Sequence, residues 1–187
     1  DLGDNYAYEG WIIVDGVPLS AGIFNVDAAG QLTQQNFEFD AEDLNKATAY
    51  ILTIEPSPDN DPAPSKVHII GGNFAGSSAE LATDHPMALG TDFSDATGAY
   101  ILATPTDGSL TTNETSGIWW EDPTTSPVTP SLSLPLLPEG WEYEGWAVIG
   151  GQAVTTGKFS SATGVDKSAP FANEVDINTF LSLSIRF

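Results

Sequence analysis

The amino-acid sequence predicts an all-β chain, an antiparallel β-sandwich made of two duplicated or intertwined units. Three observations carry this expectation. Apolar residues fall in short runs rich in β-branched and aromatic side chains, divided by Gly, Pro, Asn and Asp clusters at the roughly 8–12-residue spacing of sandwich strands. The 187 residues are 41% hydrophobic and 10% aromatic, enough apolar surface for one large or two small cores. Tyr8-Glu9-Gly10-Trp11 recurs as Tyr143-Glu144-Gly145-Trp146, and Gly16, Gly22 and Phe24 recur at the same offset as Gly151, Gly157 and Phe159. Seven identities in 17 positions point to a repeated β unit rather than to chance.

Taken in order, the expected strands are Tyr8–Val14, Val17–Phe24, Asn36–Asp40, Ala49–Ile54, Lys66–Gly71 and Ser78–Ala82. They continue with Ala99–Thr104, Gly117–Trp120, Glu142–Ile149, Ala153–Phe159 and Thr179–Phe187. Asp15-Gly16 joins the first two, and Gly150-Gly151 joins the ninth and tenth. Both dipeptides supply the positive φ of a tight hairpin turn. One helical turn is expected at Ala41–Ala47, with Asp40 as its cap. A second echo sets Ala49-Tyr50-Ile51-Leu52 against Ala99-Tyr100-Ile101-Leu102, so residues 1–98 are expected to form the first unit and 99–187 a second, incomplete one. The Thr-, Ser-, Gly- and Pro-rich stretch from Pro105 to Pro130 reads as a surface excursion or junction, interrupted by Gly117-Ile118-Trp119-Trp120.

The first unit carries an aromatic-x-x-Trp start at Tyr8 and Trp11, then Pro18, Ser20, Gly22 and Phe24, then Thr53, Glu55, Pro56, Pro62, Pro64 and Ser65. In this order the residues resemble the extracytoplasmic β domain of the anti-sigma-K factor family. The tracts Tyr100–Pro105 and Ser116–Trp120 are similar to those of secreted or lipid-anchored bacterial proteins with the same repeat. The resemblance spans roughly residues 6–160 and implies an extracytoplasmic, secreted or cell-surface β domain. Sigma-factor sequestration in that family uses a cytoplasmic helical segment and a membrane helix, neither of which is seen in these residues, so that activity is not expected. The Tyr143–Phe159 hairpin also lacks a following Glu-Pro tract and runs on to Asp176–Phe187.

Charge narrows the function. There are 26 acidic against 5 basic residues, a formal charge of −21, and the cations Lys46, Lys66, Lys158, Lys167 and Arg186 stand singly. Such a chain is not expected to bind nucleic acid, which requires clustered Lys and Arg, nor an anionic membrane surface. No stretch reaches the length of a membrane-spanning helix. The absence of cysteine removes thiol catalysis, thiolate metal sites and disulfides. Asp1 in place of Met reads as a processed chain, and Asn113-Glu114-Thr115 is a lone glycosylation sequon.

A catalytic set is not expected. His68 sits in an apolar strand and His85 precedes Pro86, with no nucleophile elbow and no His-x-x-x-His pair. Calcium is the cation that the composition favours, through Glu55, Asp59, Asn60 and Asp61 in a Pro-stiffened loop, although EF-hand spacing is missing. Asp92 with Asp95, and Glu121 with Asp122, are weaker versions of the same set. Among the tryptophans, Trp11 and Trp146 are both expected in the core. Adjacent Trp119 and Trp120 must point to opposite faces of a strand, which leaves one of them for a carbohydrate or a surface-protein partner. At the end of the chain Leu181, Leu183, Ile185 and Phe187 share one face, a period of two suited to closing a sheet or to assembly with a neighbouring copy. The expectation from all of this is a non-enzymatic, exported structural or adhesive protein that self-associates through β-strands and calcium. The alternatives are a carbohydrate- or small-ligand-binding module and a signalling ectodomain of the anti-sigma-like kind.

Overall fold

The computed structural model describes residues 2–104, 112, 114, 117–163 and 184–186. Among the described residues the fold is all-β, as expected, with every strand pair antiparallel and one six-residue helix, α1 (Ala41–Lys46). The sheets are small and separate. Two compact units are present, Asp1–Asp92 with Leu137–Gly140, and Phe93–Leu136 with Trp141–Phe187.

The first unit is organised by β1 (Tyr6–Val14), β2 (Val17–Phe24), β3 (Ala47–Pro56), β4 (His68–Ala75) and β5 (Ser78–Ala79), in the sheet order β2-β1-β3-β4-β5. Asp15 and Gly16 close the β1–β2 turn with φ of 51° and 81°, both in the left-handed region that such a turn needs. Strand β1 lies inside the sheet, and from Glu9 to Val14 every residue is buried. One of its faces carries Trp11 and Ile13, whose cross-strand partners on β3 are Ile51 and Ala49, and Ile13, Ala49 and Ile51 form one buried cluster. On the other face Tyr50 of β3 lies across Gly10. A β-carbon at Gly10 would overlap the Tyr50 hydroxyl oxygen and sit 2.9 Å from Cζ. The glycine is therefore a packing requirement, of the kind in which an aromatic ring covers a glycine in a sheet.

Two local expectations change. Residues 36–40 do not join a ladder, because Phe37 is used for packing: its ring lies 5.8 Å from Phe24 and against Gly22. Asp40 precedes α1 but makes no side-chain cap, and the helix instead has Glu42 and Asp43 in its first turn and a Lys46–Glu42 ion pair.

The second unit contains β6 (Ile101–Leu102), β7 (Gly117–Trp119), β8 (Glu121–Asp122), β9 (Thr129–Pro130), β10 (Tyr143–Ile149), β11 (Gln152–Phe159) and β12 (Ser184–Arg186). Strands β12-β7-β6 form one sheet, and β8-β9 and β10-β11 are two-stranded. Gly150 and Gly151 close the last hairpin with φ of 59° and 83°, matching the first.

Gly10→Ala is expected to destabilise the first unit by about 1–3 kcal/mol, the usual cost of overpacking, measured by urea unfolding. The cost should shrink when Tyr50→Ala is already present. An equal cost in both backgrounds would mean that the ring is not what the glycine accommodates.

Candidate functional site

The hairpins β1–β2 and β10–β11 have the same register. Tyr8 faces Phe24 and Gly10 faces Gly22, a bulge follows, and Trp11 faces Ser20; likewise Tyr143 faces Phe159, Gly145 faces Gly157, and Trp146 faces Thr155. The terminal rings stack in both, at 5.8 Å and 5.5 Å with 25° between planes. The Ser20 hydroxyl donates to the Glu9 carboxylate and accepts the Gly22 N–H at 3.1 Å. Thr155 repeats this, donating to Glu144 at 2.7 Å and accepting from Gly157 at 3.3 Å. The hydroxyl thus fixes each bulge by tying it to the Glu of the Tyr-Glu-Gly-Trp tract.

What surrounds the two hairpins differs. In the first, the Trp11 indole N–H donates to Thr53 Oγ1 at 2.9 Å, and Thr53 in turn donates to the Glu55 carboxylate. Both Glu55 oxygens accept the Ser65 N–H, at 2.9 and 3.1 Å, which holds the end of the Pro-rich loop to the sheet. Glu9, Thr53 and Glu55 are all buried. Burial holds the Glu9 carboxyl above its ordinary range, the Ser20 hydrogen bond opposes this, and the charges of Glu55 and Asp59 add to it.

In the second hairpin, Trp146 is 56% exposed, against 2% for Trp11, and Val148 is 73% exposed, against 7% for Ile13. The core position expected for Trp146 is overturned. Strand β1 is paired on both edges, whereas among the described residues β10 pairs with β11 alone. Residues 145–149, Gly-Trp-Ala-Val-Ile, contain neither charge nor proline, the usual protections of an open edge.

The other candidate residues fall elsewhere. Of the residues expected to hold a cation, Glu55 faces inward, to Thr53 and Ser65. Asn60 and Asp61 are exposed, while Asp59 and Asp61 accept the N–H groups of Asp61 and Ala63 at 2.9 and 3.0 Å, shaping the turn. Among the described residues no three Asp, Glu or His side chains converge in a metal-holding group. Asp122 likewise accepts the N–H and hydroxyl of Thr124, which lowers its pKa. Trp119 is buried, 3% exposed, with its N–H 3.3 Å from the Ala103 carbonyl, so it offers no face to a sugar. Trp120 is half-buried, edge-on to Tyr100 at 5.7 Å. Strand β12 pairs with β7 of its own chain and sets Ile185 opposite Ile118, so its described part serves an internal sheet; Leu181, Leu183 and Phe187 lie outside the described residues.

His68 Nδ1 lies 2.8 Å from the Met87 carbonyl oxygen, and His85 Nδ1 accepts the Met87 N–H at 3.2 Å. A pocket of about 200 Å³ in the second unit is lined by residues 132–136, Tyr143 and residues 160–163, below the volume usual for a small-molecule site. No helix among the described residues is long and apolar enough to cross a membrane. No family model, curated protein or solved structure matches the chain.

Sequence reasoning missed the Glu9–Ser20 and Trp11–Thr53–Glu55 connections. Alternation in Thr53-Ile54-Glu55 was the available signal, since it places two polar side chains on the Trp11 face of a buried strand.

Glu55→Ala is expected to cost about 1–3 kcal/mol by stranding Ser65 N–H and the Thr53 hydroxyl, and to speed proteolysis within residues 57–65. Unchanged stability and cleavage would contradict the anchoring role. Because the folded-state pKa of Glu9 is raised, its contribution is fully present below the unfolded carboxyl value near 4.5 and is lost as pH rises through the folded value. Glu9→Gln should therefore lose less stability than the parent chain as pH rises from acid to neutral in urea titrations; parallel curves would contradict this.

Proposed function

We propose that the chain is a non-enzymatic, exported or cell-surface structural or adhesive β protein, and that it works by presenting an open strand edge for assembly. One observation carries the reading: of two hairpins with one register, the one flanked by β3 has its Trp11 buried, while the other has Trp146 and Val148 exposed. An apolar, uncharged edge beside exposed aromatic and β-branched side chains is a template for strand addition. The shared register, bulge, turn and ring stack support a duplicated unit in a sandwich-type architecture. The acidic, Lys-poor composition and the resemblance to an extracytoplasmic β domain support the location.

Calcium has no part in this reading, since Glu55 is committed to Ser65 and Thr53. Nor has sugar stacking on Trp119, whose indole is buried. Light scattering tests the reading. The particle mass is expected to exceed 19.7 kDa and to be the same in millimolar calcium and in excess chelator. A monomer mass under both conditions at all concentrations would overturn assembly, and a mass that grows only with calcium would overturn the strand-edge account of it.

A further inference from the structure

The assembly reading, on which this inference rests, requires a strand to meet β10, and the first unit shows what such a strand must supply. In β1 the backbone groups of Trp11 and Ile13 face β3, where the Ile13 carbonyl also accepts the Thr48 hydroxyl at 3.1 Å. By the common register, those of Trp146 and Val148 face the edge of β10 that no strand among the described residues pairs with. The partner that β3 provides sets β-branched Ile51 opposite Trp11 and long-chain Leu52 opposite Gly10.

Ala99-Tyr100-Ile101-Leu102, which ends in β6, repeats the β3 tetrapeptide Ala-Tyr-Ile-Leu, yet β6 is not that partner. Ala103 N–H donates to the Gly117 carbonyl at 3.2 Å, and Ile101 pairs with Trp119. In β3 it is Ile54 N–H that donates to the β4 side, to Val67, so Ile51 and Thr53 are turned to β1. Alternation therefore places β7 on the edge of β6 that corresponds to the β1-facing edge of β3. That edge is taken.

We propose that β10 pairs antiparallel with β10 of a second copy of this chain about a twofold axis passing beside Ala147. In an isologous strand pair, outward-facing residues must oppose outward-facing residues, which leaves few registers. A register centred on Glu144 sets two carboxylates opposite each other. One centred on Gly145 sets Glu144 opposite the partner's Trp146, one centred on Trp146 sets it opposite the partner's Val148, and one centred on Val148 carries Trp146 past the partner's strand end, opposite Gly150. With Ala147 at the axis, Trp146 meets the partner's Val148 and Gly145 meets the partner's Ile149. These are the same pair types as Trp11 with Ile51 and Gly10 with Leu52. Glu144 then falls opposite the partner's Gly150, past the strand end, and meets neither a like charge nor an apolar side chain. The result is a continuous sheet β11-β10-β10-β11. Residues 145–149 carry no charge, so two chains of net charge −21 can approach there without like charges directly opposed. Added salt, by screening the remaining repulsion, should raise the dimer fraction.

A cysteine at the axis reads this register directly. The two Ala147 positions form a pair without mutual hydrogen bonds, in which β-carbons approach most closely, and the chain has no other cysteine to interfere. Ala147 is buried, 9% exposed, so the control keeps the same thiol: Ala147→Cys under mild oxidation is expected to give a disulfide-linked dimer at least roughly tenfold faster than Ala147→Cys combined with Val148→Lys, because pairing raises the local thiol concentration. Val148→Lys, at a 73% exposed position, should by itself shift the parent dimer to monomer by light scattering. Equal cross-linking rates for the two cysteine variants would overturn the proposal. If the parent chain is then still larger than a monomer, assembly uses another surface and the strand assignment alone fails; if the parent is monomeric, the assembly reading fails with it.

Discussion

The first unit depends on the pairing of β1 with β3. A buried indole needs a hydrogen-bond acceptor, and Trp11 finds it only on that neighbour, at Thr53. The bond is the first of a chain: Thr53 engages Glu55, and Glu55 holds Ser65, so one cross-strand contact positions the sheet centre and the Pro-rich loop together. Ile51 and Ala49 complete the burial of the same face. Each polar group in this run is satisfied by the next, which is why a carboxylate can lie beside an apolar core at all.

The second hairpin shows how much of this is local and how much is not. Turn, bulge, ring stack and the hydroxyl–Glu bond all re-form around Tyr143–Phe159. These features need only residues within the hairpin. Burial of the tryptophan requires a second neighbouring strand, and among the described residues β10 has none. Among the described residues the same tetrapeptide therefore makes a sheet centre in one place and a sheet edge in the other.

The division explains what could be read from the sequence. Strands, turns and the matching hairpins were legible because alternation and Asp-Gly or Gly-Gly dipeptides act over a few residues. The exposure of Trp146 was not, because it depends on which strand lies alongside. The surroundings of Glu55 were hidden for the same reason. Its acidic neighbours Asp59 and Asp61 suggested a cation loop, while its real partners, Thr53 and Ser65, are ordinary residues whose approach only the folded loop creates. Residues 36–40 alternate like a strand, yet Phe37 is drawn to Phe24 and the segment stays outside the ladder.

In the proposed assembly a Tyr-Glu-Gly-Trp strand is covered on its tryptophan edge by the chain itself in β1 and by another copy in β10. Hydrogen exchange of both strands in one sample, followed through dilution, addresses it most directly. The expected result is that amides of Trp11 and Ile13 stay protected at every concentration, while those of Trp146 and Val148 are protected when the protein is concentrated and exchange quickly when it is dilute. Protection of Trp146 and Val148 that does not change with concentration, whether high or absent throughout, would contradict it.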